Sequence, residues 1–104
     1  ELGKKFGPID LGFGNLGAYN FYPIVPVKDK STAHANPEEL LSLMKDLEVK
    51  KVIGMHWGTA ILSLEPIWEP PVRFKENAEK FGYKKEEAII FKIGEIKKLE
   101  DLVN

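Results

Sequence analysis

Two histidines, His34 and His56, are the residues of this chain best suited to chemistry near neutral pH. His56 ends the run Lys50-Lys51-Val52-Ile53-Gly54-Met55 and is followed by Trp57-Gly58-Thr59. An apolar run that stops on a histidine and then turns puts an imidazole at the carboxyl end of a buried strand, where α/β proteins keep their sites. One imidazole does not make a site, and the chain has no cysteine to complete a thiolate metal set. Composition and spacing alone favour a hydrogen-bonded structural histidine at position 56 over a ligand. His34 lies in the polar stretch Ser31-Thr32-Ala33-His34-Ala35-Asn36, where the plain reading is a solvated loop residue just ahead of a helix cap.

Other patterns carry less. Gly12-Phe13-Gly14-Asn15-Leu16-Gly17 matches the dinucleotide-binding pattern G-x-G-x-x-G and follows a strand. That fingerprint needs its third glycine in a helix whose N-terminus faces pyrophosphate. Here Pro23 and Pro26 follow with no helical periodicity, so the glycines are read as permitting a tight bend beside neighbouring backbone. Asp10, Asp29, Asp46 and Asp101 are scattered over different elements with no ligand spacing to His56. Trp57 and Trp68 read as core or rim aromatics, and Lys84-Lys85-Glu86-Glu87 as a solvated turn. The apolar loop from Tyr19 to Val27 could wall an acyl-chain channel, but packing over the core explains it equally well.

The elements that must position these residues follow from pattern. Residues 1–7 read as the end of a helix closed by Gly7 and Pro8, and Ile9 to Phe13 as a short strand. Residues 14–36 form a long, proline-broken connection, too apolar for a free linker. Asn36 then caps a helix that begins at Pro37. Glu38 and Glu39 complement its dipole, and Leu40, Leu43, Met44 and Leu47 line one face. Lys50 to His56 is a strand whose unbroken apolar character suits a sheet covered on both faces. Pro70 and Pro71 open a second helix with Phe74, Ala78 and Phe81 on one side and Gly82 at its end. Ala88 to Ile93 is a third strand, and Gly94 leads into a last short helix with Ile96, Leu99, Leu102 and Val103 on one face. This alternation implies a layered α/β fold: a short sheet with flanking helices.

At 104 residues the chain is at most one small domain, and it could be half of a larger one. A net charge of −1 gives no electrostatic case for nucleic acid or an anionic membrane. No apolar run approaches the roughly 20 residues that span a bilayer, and the absence of cysteine fits the reducing cytoplasm. The chain does not begin with methionine, so residues upstream are expected. Three short strands with several apolar helix faces imply an exposed hydrophobic patch and, for the chain alone, a homo-oligomer.

Five blocks considered together add a resemblance. They are Lys4-Lys5-Phe6-Gly7-Pro8-Ile9-Asp10-Leu11; Gly17-Ala18-Tyr19; His34-Ala35-Asn36-Pro37-Glu38-Glu39; Lys50 to Thr59; and Glu69-Pro70-Pro71. In that order they resemble the C-terminal part of metallo-β-lactamase-fold hydrolases, most closely the N-acyl-phosphatidylethanolamine phospholipase D branch and its bacterial relatives. The resemblance implies that residues 1–104 are the C-terminal half of an αββα sandwich carrying a two-zinc site at its rim. There, zinc-bound hydroxide attacks a phosphodiester or similar electrophile. It aligns His56 with the family's last metal-binding histidine, and His34 with a histidine that lies near substrate rather than among the ligands. The family's His-x-His-x-Asp-His motif is absent from these residues. The implied partner is therefore an N-terminal half carrying that motif, in the same gene product or in trans. Asn20-Phe21-Tyr22 stands where the family has Glu-Pro-Arg, which leaves the substrate class open. Two other readings stay in view: a non-enzymatic remnant that folds or self-associates without metal, and a small lipid-binding module with Tyr19, Phe21, Tyr22 and Trp57 around an apolar pocket.

Overall fold

The computed structural model describes residues 1–19, 34–58 and 65–103. These form α1 (Leu2–Phe6), β1 (Ile9–Asn15), α2 (Pro37–Asp46), β2 (Val49–Met55), α3 (Glu69–Asn77), β3 (Ala88–Ile90) and α4 (Leu99–Val103), with 3₁₀ turns at Ala78–Phe81 and Lys85–Glu87. The fold is mixed α/β. Its one sheet among the described residues has the order β1-β2-β3 and is wholly parallel, with Gly12 opposite Val52 and Val52 opposite Ala88.

The helix between β1 and β2 begins where its cap chemistry requires. The Asn36 side chain accepts from the Glu39 amide at 2.8 Å, and the Glu39 carboxylate accepts from the Asn36 amide at 3.1 Å. Pro37 occupies the first turn, where a missing N–H costs nothing. From there Leu40, Leu41 and Met44 are carried onto the sheet. Gly12 and Gly14 make room for them: a Cβ at Gly14 would lie 2.1 Å from Leu40 Cδ1, so the bare backbone lets α2 settle directly on β1. Leu16, Val49, Val52, Phe74, Ala78, Tyr83 and Ala88 complete this core. The Tyr83 hydroxyl donates to the Val49 carbonyl at 2.8 Å, which satisfies its one buried polar atom. Burial, with Glu87 adding to it, pushes the Tyr83 pKa up to about 12.

Alternation along the strands places Phe13 and Met55 on the opposite face of the sheet, where both are exposed. That face is met near one end by α4, through the Lys51 ammonium donating to the Leu102 carbonyl at 2.7 Å.

Several boundaries differ from expectation. β1 runs on to Asn15, because β2 offers it a continuous parallel edge as far as Met55. The helix opened by Pro70 and Pro71 gives way to a 3₁₀ turn at Ala78, and Gly82 ends that turn in a left-handed conformation (φ 85°). β3 stops at Ile90 rather than Ile93: the Lys92 amide and carbonyl are taken up by Glu95 in a local turn, and Ile93 is 81% exposed. The last helix does not start after Gly94. Ile96 and Leu99 stand in solvent, and Leu102 alone of the expected apolar face is buried. Most of the connection over residues 14–36 lies outside the described residues.

Candidate functional site

β1 and β2 end side by side, and the chain leaves both through tight turns. The Leu16 amide donates to the Met55 carbonyl at 2.8 Å, prolonging the strand pairing by one bond. Ala18 and His56 then adopt left-handed backbone, with φ of 61° and 63°. That conformation costs an L-residue roughly 1–2 kcal/mol, although histidine visits it more often than most. Gly17 sits against the second turn so closely that a Cβ there would lie 2.6 Å from the His56 carbonyl oxygen. The two turns are fixed against each other.

This geometry brings the two candidate histidines together. The rings of His34 and His56 are stacked, with centroids 4.9 Å apart and planes 15° from parallel. His34 is half-buried and His56 exposed. Asn15 Nδ2 lies 3.3 Å from His34 Nδ1. With the amide donating, that ring nitrogen is the acceptor. Nothing in the sequence pointed to Asn15. As the last residue of β1, it is aimed at the rim by the same pairing that lengthened the strand.

A second set of polar groups braces the first turn. Glu65 Oε1 accepts from the Ala18 amide at 2.5 Å, across 47 positions of sequence. Tyr19 is fully buried, with the Arg73 guanidinium carbon 5.2 Å from its ring centre. Arg73 is held in turn: its Nε lies 2.8 Å from both carboxylate oxygens of Glu38, and a terminal nitrogen lies 2.7 Å from Oε2. Asn77 Nδ2 donates to the same carboxylate at 2.9 Å. The Tyr19 hydroxyl has no hydrogen-bond partner among the described residues. Burial first, and Glu69 next, hold its pKa far above the ordinary tyrosine value, with Arg73 opposing them. Sequence reasoning passed over Glu65 and Arg73, and read Glu38 as a complement to the helix dipole rather than as the partner of Arg73. The one available signal for Glu65 is a lone acid within the mostly apolar run Ala60 to Trp68, which also holds Ser63.

Near the opposite edge, Trp57, Trp68, Pro71, Val72, Ile90 and Phe91 surround an apolar cavity of about 670 Å³. The two indole rings are 5.8 Å apart, and Trp68 is largely exposed, as suits a rim aromatic. Tyr19 does not line this cavity. Its burial against Arg73 corrects the expectation that it joins Trp57 around a pocket, and Phe21 and Tyr22 lie outside the described residues. Lys75, on the cavity wall, donates to the Ala88 carbonyl; burial, then Lys85 and Lys97, lower its pKa.

Among the described residues, no group of three or more histidine, aspartate or glutamate side chains could hold a metal ion. No helix among them is long and apolar enough to cross a membrane.

A parallel α/β sheet with paired imidazoles at its carboxyl rim is the class of structure described by these residues. No family model matches the chain. It is 49% identical over 51 residues to the mitochondrial N-acyl-phosphatidylethanolamine-hydrolyzing phospholipase D of Saccharomyces cerevisiae, a match covering 49% of this chain and 11% of the yeast protein. It is 34% identical over 77 residues to N-acyl-phosphatidylethanolamine-hydrolyzing phospholipase D 1 of Caenorhabditis elegans, covering 73% of this chain and 20% of that protein. An uncharacterized protein of Mycobacterium tuberculosis is 32% identical over 83 residues, covering 76% and 20%. These similarities relate the chain to that phospholipase family of hydrolases, and the chain spans between 11% and 20% of the length of these relatives.

Proposed function

We propose that this chain is the C-terminal part of a zinc-dependent hydrolase of the metallo-β-lactamase fold, acting on a phosphodiester or phospholipid. In this reading His56 supplies one metal ligand and His34 takes the substrate side. The remaining donors come from an N-terminal half outside these 104 residues, in the same gene product or in trans. One observation carries the proposal. Two histidines 22 positions apart are stacked at the carboxyl rim of the sheet, in a chain related to phospholipases. A neutral imidazole held at a strand end is the donor a borderline cation such as zinc takes, and fixing it on a rigid element serves affinity. Among the described residues no three histidine, aspartate or glutamate side chains meet to hold a metal ion, and the chain is expected to be inactive alone.

The test is zinc binding and hydrolysis of an aryl phosphodiester by this chain, with and without a polypeptide bearing His-x-His-x-Asp-His. Stoichiometric zinc and turnover in the mixture alone are the expected result. Inactivity of both would favour a non-enzymatic remnant.

The cavity beside Trp57 favours a second reading, a module that binds an apolar ligand without metal. It requires binding of a fluorescent fatty-acid probe by the isolated chain, undiminished in His56→Ala.

A further inference from the structure

We propose that Glu65 is a positioning residue for the paired imidazoles of His34 and His56, acting through the Ala18 peptide that it holds. The inference rests on the reading that these two histidines form the site. The turn at 15–19 meets both of them: Asn15 reaches His34 Nδ1, and Gly17 packs on the His56 carbonyl. Its shape depends on Ala18 staying in left-handed backbone (φ 61°). Asparagine or aspartate can steady that conformation with a local hydrogen bond, and alanine has no side-chain atom to do so. The Glu65 carboxylate supplies the missing restraint from another part of the chain, as a short charge-assisted bond of 2.5 Å to the Ala18 amide. Arg73 and Glu38 grip the next residue, but they do so through the Tyr19 ring; among the described residues it is Glu65 that bonds the 17–18 peptide. Glu65 is thus the group whose loss frees the turn on which both imidazoles are set.

The experiment is nitrogen-15 and proton NMR of the two imidazoles in the complete 104-residue chain and in Glu65→Gln, Glu65→Ala and, as an exposed control, Glu100→Ala. The unmodified chain is expected to show ring-to-ring NOEs and mutual ring-current shifts. Glu65→Gln keeps an oxygen that accepts from Ala18 and should keep both signatures. Glu65→Ala should lose them, while the methyl resonances of Leu41 and Val52 stay in place. Survival of the stack in Glu65→Ala, or its equal loss in Gln and Ala, would overturn the proposal. If Glu65→Ala does not fold, Glu65→Asp, one carbon too short to reach the amide, is judged by the same criteria. In the complemented enzyme, Glu65→Ala should lower kcat roughly 10- to 100-fold with KM little changed, the signature of misplacement rather than lost binding. Neither metal nor turnover enters the NMR readout. Loss of the stack in Glu65→Ala, together with full activity of a His56→Ala assembly, would reject the hydrolase reading and retain the role of Glu65.

Discussion

The two faces of the sheet are built to different ends. On the face covered by α2 and α3, Leu41, Val52, Phe74 and Ala88 are closed off from solvent, and Tyr83 finds its hydroxyl partner within the same layer. On the other face, Phe13 is 59% and Met55 46% exposed, with α4 reaching it near one end. The first face has the density and polar satisfaction of a finished interior. The second, leading up to the rim with His56, is covered only in part: Ile53 is buried there, between the exposed Phe13 and Met55. Stability is therefore concentrated on one side of β2 and candidate chemistry at its end, so substitutions in the two places should have separable consequences.

Phe74→Ala is the most severe test of that separation. The ring is fully buried where α3 meets the sheet, and its removal leaves a cavity that surrounding helices can only partly refill. A loss of about 3–5 kcal/mol is expected from urea unfolding. A loss below about 1 kcal/mol would mean that the covered face is not the seat of stability.

His56→Ala should do the reverse. In the complemented assembly turnover is expected to fall at least about 100-fold, equivalent to about 2.7 kcal/mol of barrier. The folding stability of the chain itself should change by less than about 1–2 kcal/mol, because what alanine meets there is mainly the left-handed backbone that histidine already tolerates. If unfolding free energy fell as far as in Phe74→Ala, His56 would be a structural residue and the division between face and rim would fail.

The covered face also carries its own pH signature. Tyr83 is neutral in its buried bond to Val49, and its pKa is raised from 10.0 in the free residue to about 12. Because the folded state binds this proton more tightly, the contribution is complete below pH 10 and is lost as pH rises from 10 through 12. Denaturant midpoints measured across that window should fall with pH. In Tyr83→Phe that part of the decline should vanish.

Much of this was legible in the chain, for reasons that differ by region. The Asn36 cap, Pro37 and the Leu40–Met44 spacing specify α2 locally, so its start was readable to the residue. Val52 and Ile53 announced β2 because a strand buried on both faces needs no polar alternation. β3 and α4 were overread, since Ile93, Ile96 and Leu99 are apolar and regularly spaced yet exposed; periodicity reports a face without saying that anything covers it. At the rim, the histidines were recognisable as types, but their stacking depends on two left-handed turns and a carboxylate 47 residues from its amide. No local pattern encodes such a contact. Asn15 and Glu65 went unnoticed because each acts through a partner that is distant in sequence.

Phe13→Ser probes the more open face and carries the smallest expected effect on stability. Phe13 sits on β1 beside Gly12 and Gly14, which turn toward α2, so its own side chain points away from the packed layer. At 59% exposure it has little burial to lose, and replacing it should alter unfolding free energy by no more than about 0.5 kcal/mol. Its apolar surface still has a cost in water, together with that of Met55. Sedimentation of the isolated chain over a range of concentrations should therefore show weaker self-association in Phe13→Ser than in the unmodified protein. A destabilisation approaching that of Phe74→Ala would reveal a second interior on this side of the sheet. Unchanged association at nearly unchanged stability would mean that the chain meets other copies of itself through a different surface, leaving this face without a role in contact.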